Sequence, residues 1–208
     1  MAAQTRTLET EKEQALLDAA LEEISENGLE GASYNRIIER SGLSKGVVYY
    51  YFKNKESLYM TVLSEAKRQF LSSVGTMKLT GRREDFWPVC REYYRKALRF
   101  ALSNMRIVKV ARTLFGPGID RTENERIYDS FLELERWMKM LVARGQKLGA
   151  LRKDMPLDLL MNIVQSHGYA MDSWLFSRVE KGEDVDLEWF VGFAMDMYQR
   201  ILSPEGAR

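Results

Sequence analysis

Apolar residues recur along this chain every three or four positions, and no stretch alternates singly for long enough to suggest a strand. That period belongs to helices with one buried face, so the pattern predicts an all-α protein. Leu17, Ala20, Leu21 and Ile24 form such a stripe over residues 11–26, which Asn27-Gly28 closes. Ile37 and Ile38 mark a short helix behind Ser33, and Val48 and Phe52 mark another behind Ser44. A longer helix begins near Asn54, with Leu58, Val62, Ala66 and Phe70 on one side. Further along, Gly75, Gly81, Gly116-Pro117-Gly118, Gly149, Pro156 and Lys181-Gly182-Glu183 act as breakers. Between them, helices are expected over 84–103, 105–115, 123–148, 157–180 and 186–202, about nine in all. Pro88 falls in the first turn of its helix, where a missing amide costs little.

The run from Ser41 to Glu56 is the most specific part of the pattern. Gly42 can take the positive φ of a tight helix-helix turn without steric cost, and the Ser44 hydroxyl can cap a new helix starting at Lys45. Upstream, Ser33 is the N-cap of a partner helix through Arg40. Two short helices joined at a glycine make a helix-turn-helix, with the motif at about 33–52. Val48 and Phe52 belong to its packed side, whereas Lys45, Val47, Tyr49 and Tyr50 fall largely on other faces.

Net charge, at +1, is uninformative until it is divided along the chain. Residues 1–30 hold two basic and eight acidic side chains, whereas residues 31–70 hold seven basic ones (Arg36, Arg40, Lys45, Lys53, Lys55, Lys67, Arg68) against three acidic (Glu39, Glu56, Glu65). The excess coincides with the helix-turn-helix, and phosphate neutralisation depends on local charge.

Gly28-Leu29-Glu30-Gly31-Ala32-Ser33, Ile37-Ile38, Ser41-Gly42-Leu43-Ser44-Lys45-Gly46 and Tyr49-Tyr50-Tyr51-Phe52-Lys53-Asn54-Lys55-Glu56-Ser57-Leu58 together resemble the TetR family of one-component transcriptional regulators. The resemblance covers about residues 10–70. It implies a three-helix DNA-binding domain there and a helical effector-binding and dimerisation domain over 71–208. By the same resemblance, Ser33, Tyr34, Arg36, Tyr49, Tyr50 and Lys55 are expected as anchors on the DNA backbone, beside Ser44 at the helix start. Lys45 is placed to donate to guanine O6 and N7, and Val47 to touch a thymine methyl. Gly46 permits close approach of the backbone to the groove, and Asn35 suits either a base edge or a phosphate. Lys53 reads equally as a contact or as a solvated lysine, and Tyr51 with Phe52 as packing.

Over residues 71–208 the family resemblance supplies architecture only. Leu160, Ile163, Val164, His167, Met171, Trp174 and Leu175 form one apolar stripe, and Phe190, Phe193, Ala194, Met197 and Ile201 another. Beside Gly168 and Gly192, these faces suit a four-helix bundle across a two-fold axis. Leu160, Val164, Gly168, Trp174, Phe190, Phe193, Met197 and Ile201 are the expected dimer residues; the other reading sends both stripes into the protomer's own core. Tyr94, Phe100, Phe115, Phe131, Trp137, Met138, His167 and Met171 are candidates for a largely apolar effector pocket. His167, the only histidine, also suits a core or dimer contact. Arg91, Arg95 and Arg99 recur at i, i+4, either to draw an anionic effector or as an ion-paired face.

One histidine and one cysteine cannot supply a His/Cys metal cluster, and no phosphate loop or nucleophile-base spacing appears, so no catalysis, metal or cofactor is expected. Cys90 reads as a buried small hydrophobe or as a redox sensor. Without a long apolar span, no membrane segment is expected and the protein reads as cytoplasmic. The resulting expectation is a ligand-responsive regulator, a repressor by the family's habit, that binds a palindromic double-stranded DNA operator as a homodimer. An activator, a corepressor-dependent regulator and a helical protein-interaction module remain the alternatives.

Overall fold

The computed structural model describes residues 10–115 and 132–204. Among them every regular element is a helix: α1 (Thr10–Gly31), α2 (Tyr34–Ser41), α3 (Lys45–Tyr51), α4 (Lys55–Val74), α5 (Phe86–Ser103), α6 (Met105–Phe115), α7 (Leu132–Leu148), α8 (Leu157–Glu180) and α9 (Leu187–Leu202). None of these helices is long and apolar enough to cross a membrane. The expected spans 105–115 and 157–180 coincide with α6 and α8. The helix expected over 123–148 is described from Leu132 onward; residues 123–131 and the Gly116-Pro117-Gly118 breaker lie outside the described residues.

The chain forms two compact units. The first takes residues up to Phe70 together with α6, and the second takes 71–103 and the helices from α7 on. A single break at 70/71 therefore misassigns α6. Val108 and Val110 give α6 a buried face, and that face packs on α1. An apolar stripe goes where it is covered, whatever its place in the chain.

In the first unit α1 breaks at Gly28, whose φ of 71° and ψ of 175° are not helical, before one more turn to Gly31. Its buried residues are Leu16, Leu17, Ala19, Ala20, Glu23 and Ile24, a stripe rotated toward Leu16 and Glu23 from the expected one; Leu21 is only half-buried. Leu58, Tyr59, Val62 and Leu63 of α4 supply further core.

The core of the second unit gathers Phe86, Val142, Ala150, Leu151, Leu160, Met161 and Leu202. Gly145 of α7 is what lets its helix approach so closely: a Cβ there would lie 2.6 Å from Leu151 Cγ and 2.7 Å from Phe86 Cζ. Helices α5 and α9, α7 and α8, and α8 and α9 pack pairwise around this centre.

Candidate nucleic-acid interface

Local chemistry sets the ends of α2 and α3. Ser33 in extended conformation accepts the Arg36 N–H at 3.4 Å, and Ser44 accepts the Val47 N–H at 3.4 Å, so each short helix starts on a serine cap. Gly42 at φ 69° ends α2 in the left-handed region, its N–H donating to the Glu39 carbonyl. Ile37, Ile38 and Val48 are buried and hold the two helices to the core. Phe52 caps α3, its N–H donating to Val48 O, and its side chain is half-buried.

The opposite side of α3 is open. Tyr49 is 42% and Tyr50 55% exposed, and the Lys45 ammonium stands 5.7 Å from the Tyr49 ring centroid. A Cβ built on Gly46 would meet nothing within 4 Å. Lys45, Gly46, Tyr49 and Tyr50 thus form one exposed face, with Val47 half-buried at its edge and Asn35 and Lys53 exposed nearby in sequence.

Three of the expected backbone anchors are engaged within the unit. Arg36 donates from Nε to Glu23 Oε1 at 2.7 Å and from Nη2 to the Gly31 carbonyl at 2.9 Å, so its guanidinium is turned to the protein. Lys55 aims its ammonium at the carbonyls of Leu29, Glu30 and Ala32, at 3.3–3.5 Å, and over the Tyr59 ring at 5.5 Å. Tyr34 donates its hydroxyl to the Phe52 carbonyl at 2.5 Å and meets the Tyr49 ring edge-on at 5.1 Å. Arg36 and Lys55 satisfy charge and backbone carbonyls of α1, and Tyr34 satisfies a carbonyl at the end of α3. Tyr34 fastens the end of α3 to α2, and Lys55 fastens α4 to the end of α1, a role the sequence does not announce.

The residue missing from the sequence reading is Glu23. It is fully buried on α1, accepts the Ser33 N–H at 2.9 Å as well as the Arg36 bond, and has Arg40 at 3.7 Å. The Arg36 hydrogen bond, helped by the Ser33 amide, holds its carboxyl below the usual carboxylate range in spite of burial. Its register three residues after Ala20 and seven after Leu16 was the available signal, hidden among the neighbouring glutamates.

Residues 16–61 match the family described as bacterial regulatory proteins, tetR family. Over those residues the chain is similar to the TetR family. It is 27% identical to the HTH-type transcriptional repressor AcnR of Corynebacterium diphtheriae over 84% of each chain. It is also 40% identical to the HTH-type transcriptional regulator RutR of Escherichia coli K12 over 42% of this chain and 40% of that one. A TetR family transcription regulator from Marinobacter aquaeolei VT8 shares its fold at a TM-score of 0.67 and 18% identity, with 94% of this chain and 97% of that one covered. These likenesses support a DNA-binding transcriptional regulator of the TetR type, whose helix-turn-helix leaves one side of α3 exposed.

The second unit redistributes the remaining candidates. Leu160 and Phe190 are completely buried inside the unit, so as dimer residues both are corrected to core: each faces inward on a helix whose opposite side is exposed. Val164 and Ile201 pack against the same core, as does Met138 of the pocket candidates, and Met197 is half-buried. Trp174 and Phe193 are exposed and are joined by Trp189, with Trp189 stacked on Phe193 at 5.5 Å. Gly168 admits Tyr198, whose hydroxyl would lie 2.7 Å from a Cβ there and donates to the Val164 carbonyl at 3.2 Å.

Of the pocket candidates, Tyr94 and His167 come together, with two residues the sequence reading passed over. The Tyr94 hydroxyl donates to Asp172 Oδ1 at 2.6 Å, and Tyr198 meets His167 edge-on at 4.5 Å. Trp137 instead lies against Tyr93 at 5.1 Å, and Phe100 and Met171 are half-buried. Phe131 and the side chain of Phe115 lie outside the described residues. Arg95 binds Glu188 at 2.9 Å and Glu92, and Arg99 binds Glu188 at 3.1 Å, which decides for an ion-paired face at those two positions.

Proposed function

We propose that the protein is a repressor that binds a palindromic operator as a homodimer in the cytoplasm and leaves it when a small-molecule effector occupies the second unit. The observation that carries this reading is the α3 face, where Lys45, Tyr49 and Tyr50 stand exposed around a glycine that leaves room for a groove. Lys45 and Val47 choose the sequence, whereas Ser33, Ser44, Tyr49 and Tyr50 anchor the backbone, with Asn35 beside them. Arg36, Tyr34 and Lys55 support the reading helix from within.

The exposed aromatics Trp174, Trp189 and Phe193 on α8 and α9 support the dimer, since three such side chains on one face of a lone chain would be an unusual apolar surface. Phe193→Asp should yield a monomer in analytical ultracentrifugation; an unchanged dimer would place the interface elsewhere. A dimer presents two reading helices at a fixed separation, and an effector that prefers a different arrangement releases DNA with about 1–3 kcal/mol of coupling.

The deciding experiment is binding to a palindrome from the protein's own promoter region. Affinity should fall steeply with salt, and Tyr49→Ala should weaken it on all sequences, whereas Lys45→Ala should relax preference at one base by about 1–3 kcal/mol. Salt-independent binding, or none, would remove this reading in favour of a protein-interaction module.

A further inference from the structure

Asp172 is a half-buried carboxylate with no cation paired to it among the described residues. Among the described residues its hydrogen-bond partner is the Tyr94 hydroxyl on Oδ1, which leaves Oδ2 without one. Burial pushes its pKa up to about 6, only partly opposed by the Tyr94 bond. Beside it stand Tyr94 of α5, which donates to it, and Tyr198 of α9, whose ring meets both Tyr94 and His167. The Tyr94 and Tyr198 rings stand 6.4 Å apart, edge to face. His167 Nε2 is buried and has no hydrogen-bond partner.

A buried charge is ordinarily matched by an opposite one, and an unmatched one either takes up a proton or waits for a partner. Among the described residues no ion pair to this carboxylate forms: the phenols of Tyr94 and Tyr198 stand near it, and Arg91 of α5 reaches toward Gly192 of α9. Aromatic rings beside a carboxylate favour a cation and repel an anion.

We infer that Asp172, with the rings of Tyr94 and Tyr198, receives the cationic head of the effector, an amine or quaternary ammonium carried on an apolar body. This rests on the reading of the second unit as the effector domain, and it names the ligand's charge. The Tyr94 hydroxyl keeps one carboxylate oxygen oriented, the cation takes the other, and the rings replace its lost water. Arg95 and Arg99 lie on the same α5 but are bound to Glu188, so they do not turn the site toward anions.

The test is a titration of the full-length protein with benzyltrimethylammonium and with neopentylbenzene, its uncharged counterpart of the same shape, followed by thermal shift and calorimetry. The ammonium should bind saturably and at least about tenfold more tightly than the hydrocarbon, and Asp172→Asn should lose about tenfold for the ammonium alone. Equal binding of the two probes, no saturable binding, or an Asp172→Asn variant that binds as well as the wild type would each overturn the inference. If the variant does not fold, the pair of probes on the wild type decides alone. Should uncharged or anionic compounds release the protein from its operator while the ammonium does not bind, the effector reading stands and only the cation site falls. If no compound of any charge alters DNA binding, it is the effector reading that falls.

Discussion

The carboxylate of Glu23 and the guanidinium of Arg36 meet at 2.6 Å across the first two helices, one fully buried and the other half-exposed. The same oxygen accepts the Ser33 amide, so a single side chain of α1 fixes both the cap residue of α2 and the arginine one turn into it. The angle at which the helix-turn-helix leaves the core is therefore set by an ionic contact as well as by apolar packing.

Glu23→Gln should destabilise the protein by about 1–2 kcal/mol at neutral pH through loss of charge-assisted hydrogen bonds. Because the native carboxyl is held below its ordinary range, its contribution is complete above the unfolded-state value and is lost as pH falls through the native one. Denaturant unfolding of wild type and variant should accordingly converge toward acid; parallel profiles would show that the pair contributes nothing.

Lys55→Met separates a clamp from a phosphate contact. With its ammonium on the Leu29, Glu30 and Ala32 carbonyls, the substitution should lower stability by about 1 kcal/mol and leave the salt dependence of DNA binding unchanged. A salt slope shallower by about one would mean that the lysine turns to a phosphate in the complex.

Gly145→Ala should destabilise the protein although alanine is the better helix former by about 1 kcal/mol. Its Cβ would sit 2.6–2.7 Å from Leu151 and Phe86, and overpacking of that kind costs about 1–3 kcal/mol. A raised melting temperature would contradict the close packing of α7 on this core.

Cys90 tests the choice between core residue and redox sensor. It packs against the second unit's core, and burial pushes its thiol up to about 12. A thiol reagent at pH 8 should find it only after unfolding; rapid labelling of the native protein would favour the sensor.

The parts of the fold governed by short-range rules were legible in the sequence. Ser33, Gly42 and Ser44 delimit α2 and α3 through bonds that span three residues, and the ends of α6 and α8 follow breakers a residue or two away. Residues whose role depends on distant partners were not. Tyr34 and Lys55 find their acceptors 18 and 23–26 residues away, and Asp172 meets Tyr94 at a separation of 78. Helical periodicity identifies a stripe but not its cover, which is why Leu160 and Phe190 read as interface while Trp189, one residue earlier than Phe190, was passed over.

Gly46 has a consequence for the descent of such regulators. Nothing packs above its Cα, so a larger residue could be installed there without disturbing a neighbour. With α3 in the role proposed above, the cost of folding and the choice of operator are uncoupled at this position, so a single codon change there would alter the proposed contact surface and leave the packing of the rest of the molecule intact.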